Sequence, residues 1–567
     1  MPMRLSCIGI AVASLACAGL AQAQRAAVVP ADPLDLIPQP AKVPAPPAPQ
    51  PSLDTTTPAG AAAGRLDAQI TPTRFEIEGV NALPFSEIAG LFAPLAGKPV
   101  TVGQLAGLAR DATARYRDAG YPLSFVYLPE QDFADGVVRV VAVEGHIASI
   151  RIEGDAGAAE PKLREIAQQL QAEKPLRLAT FERATQIMSR LPGLSVAAEA
   201  AMPTTTNGDA PLVLKVKREP YNVSLGADVR QPTSRLVLTG RVGDLLASGS
   251  DLSASTLLGN WEREKFASLA YSQYVGADGL ALKTTYSDYR GYPDESMGKD
   301  SPIQRYNTNR RLEFSGSYPL MLSAASSLFL NGGLYGVDNT DDYKVPVNGA
   351  RLTDETQVRA VFLQLVYADA TPRRSRNASA MLAQGIDGLG ASAQVRSNVP
   401  GASGPGTADL SFTRLAFDVS QRDRFENLWG TAISMGGQVS GNSLASSERV
   451  SFGGPRYGRG YAAGDGSGDS GVGIGLELNR AFAFDATWLK QVEPYLLLEA
   501  AHVSTHIGRP VPRDLRSVAL GLRLSDARHY NLDLAVAKPT GDAALNNPQR
   551  DVRVSLLLSY QLEGLLR

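Results

Sequence analysis

The chain has few of the residues that usually carry out chemistry. Of its 567 residues, only two are cysteine and four are histidine. Both cysteines, Cys7 and Cys17, lie among the first 23 residues, so the remainder can form no disulfide, thiolate metal site or cysteine nucleophile. His502 and His506 are four residues apart without the glutamate of a zinc-protease motif. On a strand they would be about 13 Å apart, too far to share a zinc ion.

An excess of charge and long apolar runs are also lacking. The 55 basic and 57 acidic residues give a net charge of -2, whereas a general nucleic-acid binder usually carries a strong basic excess. After residue 23 no stretch approaches the roughly 20 apolar residues of a membrane helix, which excludes a polytopic helical membrane protein. A β-barrel is still allowed, because alternating strands leave the composition close to that of a soluble protein. Residues 466–471 fit G-x-G-x-x-G but lack the flanking strand and helix, so we expect no dinucleotide site there. The acidic pairs lie in no recognisable catalytic setting and the sequence shows no nucleophile constellation, so we expect no enzyme activity and no cofactor.

The N-terminal region is typical of an exported protein. Residues 1–23 combine Arg4, an apolar run over residues 5–20 and the small-x-small sequence Ala21-Gln22-Ala23. This pattern predicts a removed signal peptide; the run is too short for the alternative, a membrane anchor. Residues 24–69 are rich in proline and alanine, which predicts an extended linker of polyproline II character.

Residues 70–146 and 147–218 repeat one pattern. Each copy reads strand, helix, helix, strand, strand, and in the first copy Thr101 and Gln104 form a capping box at the start of the longer helix. The repeat predicts two tandem α+β modules, each a three-stranded sheet with two helices on one face. Exposed edges of such sheets can accept a peptide as an added strand, although two structural spacers would show the same pattern.

From residue 219 to residue 567 the period changes to two. Apolar residues alternate with small, polar or charged ones, as in the runs Val472, Ile474, Leu476, Leu478 and Val518, Leu520, Leu522, Leu524. Strands of about nine residues or more, with Arg, Glu, Asp and Gly on one face, favour a membrane barrel with a hydrated lumen over a soluble sandwich. Sixteen strands would take about 22 residues each, a normal repeat for an antiparallel transmembrane β-barrel.

The most distinctive segment is a glycine-rich loop within this region. It contains Gly453-Gly454, then Arg459-Gly460-Tyr461 and 468–471, and leads into a strand that carries Glu477. This segment resembles the sixth extracellular loop of the Omp85 superfamily, most closely that of the two-partner secretion transporters (the TpsB family). Gly458 stands where the family has valine. The stretch 493–501 resembles the family's next strand, with Glu499 at the position of a lumenal aspartate that pairs with the loop arginine.

The resemblance covers nearly the whole chain and implies a function. It implies two polypeptide-transport-associated (POTRA) modules in the periplasm and a barrel in the outer membrane of a Gram-negative cell. The implied partners are a secreted exoprotein, unfolded in the periplasm, outer-membrane lipid and the machinery that assembles barrels, with no nucleic acid and no ATP. Arg459 and Glu499 would hold the loop in an export-competent position by a bidentate ion pair. The alternatives are a factor that inserts other outer-membrane proteins and a passive porin.

Overall fold

The computed structural model describes residues 66–562 apart from 134, 231–232, 260, 294–296 and 509, together with Leu34 and residues 52–54. The expected signal peptide and most of the expected linker lie outside these residues. None of the described helices is long and apolar enough to cross a membrane.

The first module is a small sheet covered by two helices. Its elements follow strand β1 (Ser52–Asp54) and are β2 (Gln69–Ile70), β3 (Arg74–Glu78), α1 (Phe85–Phe92), β4 (Val100–Thr101), α2 (Val102–Asp118), β5 (Phe125–Tyr127) and β6 (Val137–Val143). The main sheet has the order β3-β6-β5. The predicted capping box is confirmed: Thr101 Oγ1 accepts the Gln104 N–H at 3.1 Å, and Gln104 Oε1 accepts the Thr101 N–H at 2.9 Å.

A half-buried carboxylate ties the helices of this module to its sheet. Glu144 Oε1 accepts the N–H groups of Asn81 and Ala82, each at 2.7 Å, and the hydroxyl of Tyr116 at 2.9 Å. Burial and this hydrogen bond to Glu144 raise the pKa of Tyr116 above its ordinary value. The hydroxyl therefore stays protonated and acts as a donor, which fixes α2 over the end of β6.

The second module repeats the arrangement with one additional strand. Its elements are β7 (His146–Gly154), α3 (Glu160–Ala172), α4 (Leu178–Ser189), β8 (Leu194–Ala201) and β9 (Asp209–Arg218). The sheet order is β1-β8-β9-β7, with Ser52 of β1 opposite Glu199 of β8 in a parallel pairing. The expectation of free edges is therefore wrong for β8, because three residues of the proline-rich segment already pair with it.

The remaining strands form a closed antiparallel barrel. In chain order they are β10 (Tyr221–Arg230), β11 (Thr233–Gly243), β12 (Ser250–Leu258), β13 (Glu264–Val275), β14 (Leu280–Gly291), β15 (Gln304–Leu322), β16 (Ser326–Val345), β17 (Ala350–Ala370), β18 (Arg374–Gly385), β19 (Ser392–Ser397), β20 (Gly404–Pro405), β21 (Thr413–Arg424), β22 (Trp429–Ser440), β23 (Val450–Phe452), β24 (Gly466–Gly468), β25 (Ser470–Arg480), β26 (Phe482–Ala486), β27 (Leu489–Ser504), β28 (Asp514–Ser525), β29 (Tyr530–Pro539) and β30 (Arg553–Gln561). Sixteen of them form the wall, and β10 closes it against β30. The short strands β19, β20 and β26 extend the wall locally, and β23 pairs with β24 inside a loop.

The predicted alternation of faces is confirmed in the wall. On β25 the apolar residues Val472, Ile474 and Leu476 are exposed on the outer face, whereas Glu477 and Asn479 are buried inside. The outer face can therefore contact lipid while the inner face carries the charges.

One hydrophobic core runs from the first module into the barrel. It contains Leu123 and Phe125 of the first module, Phe181 of the second and Leu322 of β15. Arg183 of α4 strengthens the contact by donating to the carbonyl oxygens of Pro319 at 2.9 Å and Asp278 at 3.0 Å. The modules and the barrel end beside them therefore share their packing.

Candidate functional site inside the barrel

The loop between β22 and β25, residues 441–469, is the sixth loop at the barrel end opposite the modules and is called loop 6 below. Its two arms pair as β23 and β24, with Val450 opposite Gly468 and Phe452 opposite Gly466. Residues 453–465, called the tip, lie beyond this paired neck. At the turn into the tip, Gly453 has φ 106°, and an added Cβ would lie 2.2 Å from the carbonyl oxygen of Ala462. Glycine is therefore required there.

Glu499 of β27 binds the backbone of the tip. Its Oε2 atom accepts the N–H groups of Gly458 at 3.0 Å and Arg459 at 2.7 Å, and the hydroxyl of Ser517 at 3.0 Å. Only 9% of the Glu499 surface is exposed. A carboxylate that accepts several N–H groups in a poorly hydrated place is a strong anchor for a flexible loop.

The guanidinium group of Arg459 binds a different carboxylate. Its Nη1 atom lies 3.3 Å from Asp533 Oδ2 on β29 and donates to the hydroxyl of Tyr495. Tyr495 in turn donates to Asp533 Oδ1 at 2.6 Å. Among the described hydrogen bonds, none joins this guanidinium to Glu499, so the expected side-chain pair is wrong in its geometry. The reason is reach: Glu499 Oε2 already accepts two backbone N–H groups and the Ser517 hydroxyl, and the arginine side chain extends to Asp533 on β29.

A second group of charged side chains lies next to this contact, on β25, β27 and β28. Arg523 of β28 binds Glu477 through two bonds, at 2.6 and 2.7 Å, and Glu493 through one at 2.8 Å. The Tyr495 ring contacts two guanidinium groups, with its centroid 5.4 Å from Arg459 and 4.2 Å from Arg523. Arg459 is thus part of a network of alternating charges across β25, β27, β28 and β29.

The two residues after Arg459 complete the attachment of the tip. The backbone of Gly460 lies against β29 so closely that an added Cβ would be 2.5 Å from the nitrogen of Pro539. Tyr461 donates its hydroxyl to the carbonyl oxygen of Asp542 at 2.9 Å and packs in a cluster with Phe452, Tyr457 and Leu515. Each residue of the Arg-Gly-Tyr motif therefore has its own contact with the wall.

The structure brings all the predicted loop residues to one side of the lumen. It also adds Asp533, Tyr495, Arg523 and Glu493, which the sequence reading did not single out. The sequence contains only a weak indication of these residues. They occupy lumen-facing positions on the neighbouring strands β27, β28 and β29, and Arg523 lies opposite both Glu493 and Asp533 in the register.

A residue of the N-terminal segment also lies in the lumen. Leu34 packs against the cluster of Val237, Leu257 and Tyr289, which are buried on the inner wall. Strand β1, from the same N-terminal segment, lies on the sheet of the second module.

Two protein-family models match different parts of the chain. Residues 70–145 match the POTRA domain of ShlB type, and residues 246–524 match the haemolysin secretion/activation protein family ShlB/FhaC/HecB. The heme/hemopexin transporter protein HuxB of Haemophilus influenzae (strain ATCC 51907 / DSM 11121 / KW20 / Rd) is 24% identical in an alignment of length 504. The alignment covers 84% of this chain and 84% of HuxB.

Two solved structures share the fold. CdiB from Escherichia coli is 18% identical with a TM-score of 0.67, covering 90% of this chain and 94% of that one. CdiB from Acinetobacter baumannii is 15% identical with a TM-score of 0.57, covering 91% and 95%. The order of POTRA module and barrel is therefore common to these chains.

Proposed function

The chain is a two-partner secretion transporter of the ShlB/FhaC/HecB family, and from that premise we propose that it exports one partner exoprotein through its barrel. The barrel lies in the outer membrane and the POTRA modules lie in the periplasm. The observation that carries the proposal is the position of loop 6, whose tip is bound inside the lumen of a sixteen-stranded barrel. A passive porin needs neither this loop nor the modules.

The modules would capture the exoprotein by strand addition. In the first module β3 is an edge strand, and its described partner is β6. An unfolded segment can pair with such an edge through main-chain hydrogen bonds that do not depend on a particular sequence. In the second module the β8 edge is taken by β1, so capture at β8 requires β1 to leave, whereas β7 is still an edge strand.

The tip would be held in place by two carboxylates. Glu499 holds its backbone and Asp533 holds the Arg459 side chain, which together keep the loop in an export-competent position. The exported chain would pass through a lumen with polar, charged walls, and folding outside the cell would draw it forward without ATP. The outer apolar face would contact lipid, and insertion of the barrel would depend on the cell's barrel-assembly machinery.

A secretion assay tests the proposal. The transporter is co-expressed with a candidate exoprotein of the two-partner type, and the exoprotein is quantified outside the cell with and without the transporter. We expect export only when the transporter is present, and sharply reduced export with Arg459→Ala while the barrel remains assembled. Unchanged export without the transporter, together with a loss of many outer-membrane proteins on depletion, would favour the insertion factor instead. Normal export by the Arg459→Ala variant would refute the role of the arginine.

A further inference from the structure

We infer that loop 6 has a fixed stem and a separately moving tip, and that Glu448 is the positioning residue that fixes the stem to the barrel wall. The stem comprises residues 442–452 and 466–469, on either side of the tip. For its functional consequence this inference rests on the proposed export function, but the mobility itself does not.

Glu448 is bound to the wall away from the site that holds the tip. The residue is 1% exposed, and its Oε2 atom accepts the hydroxyl of Tyr335 on β16 at 2.7 Å and Nε of Arg414 on β21 at 3.0 Å. Tyr335 also accepts a hydrogen bond from Arg414 Nη2 at 3.3 Å. Three polar side chains thus satisfy one another at a buried site.

A second buried carboxylate joins the two arms of the stem. Asp469 is 1% exposed and accepts the N–H of Leu444 at 2.9 Å and Nε of Arg449 at 3.2 Å through one oxygen. Its other oxygen accepts the N–H of His506 at 2.8 Å, from the loop after β27. Ser446 adds a contact to β16, since its hydroxyl accepts Nδ2 of Asn339 at 3.1 Å.

The ion pair of the tip is less deeply buried than the ion pair that holds the stem. The Arg459 and Asp533 side chains are 14% and 16% exposed, whereas those of Arg414 and Glu448 are 11% and 0% exposed. Water that reaches an ion pair screens it, and a buried carboxylate that loses its partners is left without solvation. The tip should therefore detach from the wall more readily than the stem.

The distribution of glycine points the same way. The arm 442–452 contains no glycine, whereas the 13 residues of the tip contain five: Gly453, Gly454, Gly458, Gly460 and Gly464. The short arm 466–469 contains Gly466 and Gly468, but both lie in the paired strand β24 and are packed so closely that an added Cβ would meet a neighbouring atom at 2.6 Å. Gly453 and Gly454 follow the neck directly and both have positive φ, 106° and 61°. Backbone rotation at this pair can swing the tip while the β23–β24 neck stays paired.

The inference assigns each part of the loop a role in export. Clearing the lumen would displace the 13 tip residues, and the stem would remain as a fixed post between β16 and β21. The loop would then return to the same position after each passage.

Hydrogen exchange of the full-length protein in detergent, followed by mass spectrometry, tests the inference without any exoprotein. Arg459→Ala should speed exchange of the tip amides at least about tenfold and leave the stem, residues 442–452 and 466–469, unchanged, since exchange reports local opening. Glu448→Gln should speed exchange in the stem. Glu426→Gln serves as the matched control, because it removes the same charge from an exposed ion pair with Arg373. If Arg459→Ala speeds exchange in the stem as much as in the tip, or leaves the tip unchanged, the inference is overturned.

A disulfide tether keeps the test decisive if Glu448→Gln fails to assemble. The chain has no cysteine after Cys17, so Asn339→Cys with Ser446→Cys joins the stem to β16 where the two side chains already touch. We expect the oxidised variant to show wild-type exchange in the tip. Slower tip exchange that reduction restores would mean that the stem must move, which contradicts the inference. A failure of wild-type export in the secretion assay would overturn the proposed function and leave this result standing.

Discussion

Replacing Asp533 by asparagine tests the contact of Asp533 with the tip of loop 6 independently of the contact made by Glu499. The substitution keeps the size of the side chain and one acceptor oxygen but removes the charge that faces Arg459. A fully buried ion pair costs about 3–5 kcal/mol to break from one side, and an exposed pair contributes at most about 1 kcal/mol. With 14% and 16% of the two side chains exposed, the loss should be about 2 kcal/mol. That corresponds to an increase of about 30-fold in the ratio of undocked to docked tips.

Glu499→Gln should have a smaller effect. Its amide oxygen can still accept the N–H groups of Gly458 and Arg459, so charge-assisted bonds become neutral bonds of roughly half the strength. We expect a loss of about 1 kcal/mol, or about fivefold in the same ratio.

Single-channel recording in planar bilayers measures this ratio as the fraction of time in large-conductance states. The expected order is Asp533→Asn above Glu499→Gln above wild type. Asp485→Asn is the matched control, since Asp485 is fully exposed near the end of β26 and pairs with Lys490. Wild-type conductance for Asp533→Asn, or a larger opening for Glu499→Gln, would show that the guanidinium depends on Glu499 after all.

Three further predictions concern local features. Gly460→Ala should release the tip as Arg459→Ala does, because the new Cβ would lie 2.5 Å from the Pro539 nitrogen; Gly441→Ala, which meets nothing within 4 Å, should conduct like wild type in the same recordings. Thr101→Ala should destabilise the first module by about 1 kcal/mol through loss of the capping box, seen as faster hydrogen exchange in α2, and unchanged exchange there would contradict it. Backbone N–H groups from Tyr530, Arg528 and His529 outweigh burial and lower the pKa of Asp526, in the turn before β29, to about 2. Asp526→Asn should therefore lower the thermal midpoint above about pH 4. The difference from wild type should shrink as the pH falls towards 2; a difference independent of pH would refute the assignment.

Much of the fold follows from periodicity. Alternation with period two assigns Glu477 and Glu499 to the lumenal face, because successive side chains on a strand must point to opposite sides. The capping box at Thr101 is likewise local and therefore readable. Contacts of this kind depend on a few neighbouring residues.

The partners of the loop depend on distant register and could not be read in the same way. Whether Arg459 meets Glu499 or Asp533 is decided by the depth at which the tip sits between β27 and β29. Glu448 contacts Tyr335, 113 residues away, on a strand that carries no matching motif. Strand β1 is three residues within a proline-rich segment and has no periodic pattern of its own.

The core shared by the modules and the barrel has a mechanical consequence. Phe125 of the first module, Phe181 of the second and Leu322 of the wall belong to one packed cluster. A pull on a chain attached to the first module is therefore transmitted to the rim of the barrel as a load. The two periplasmic modules therefore transmit force to the wall, and β15, whose end lies in that cluster, receives it.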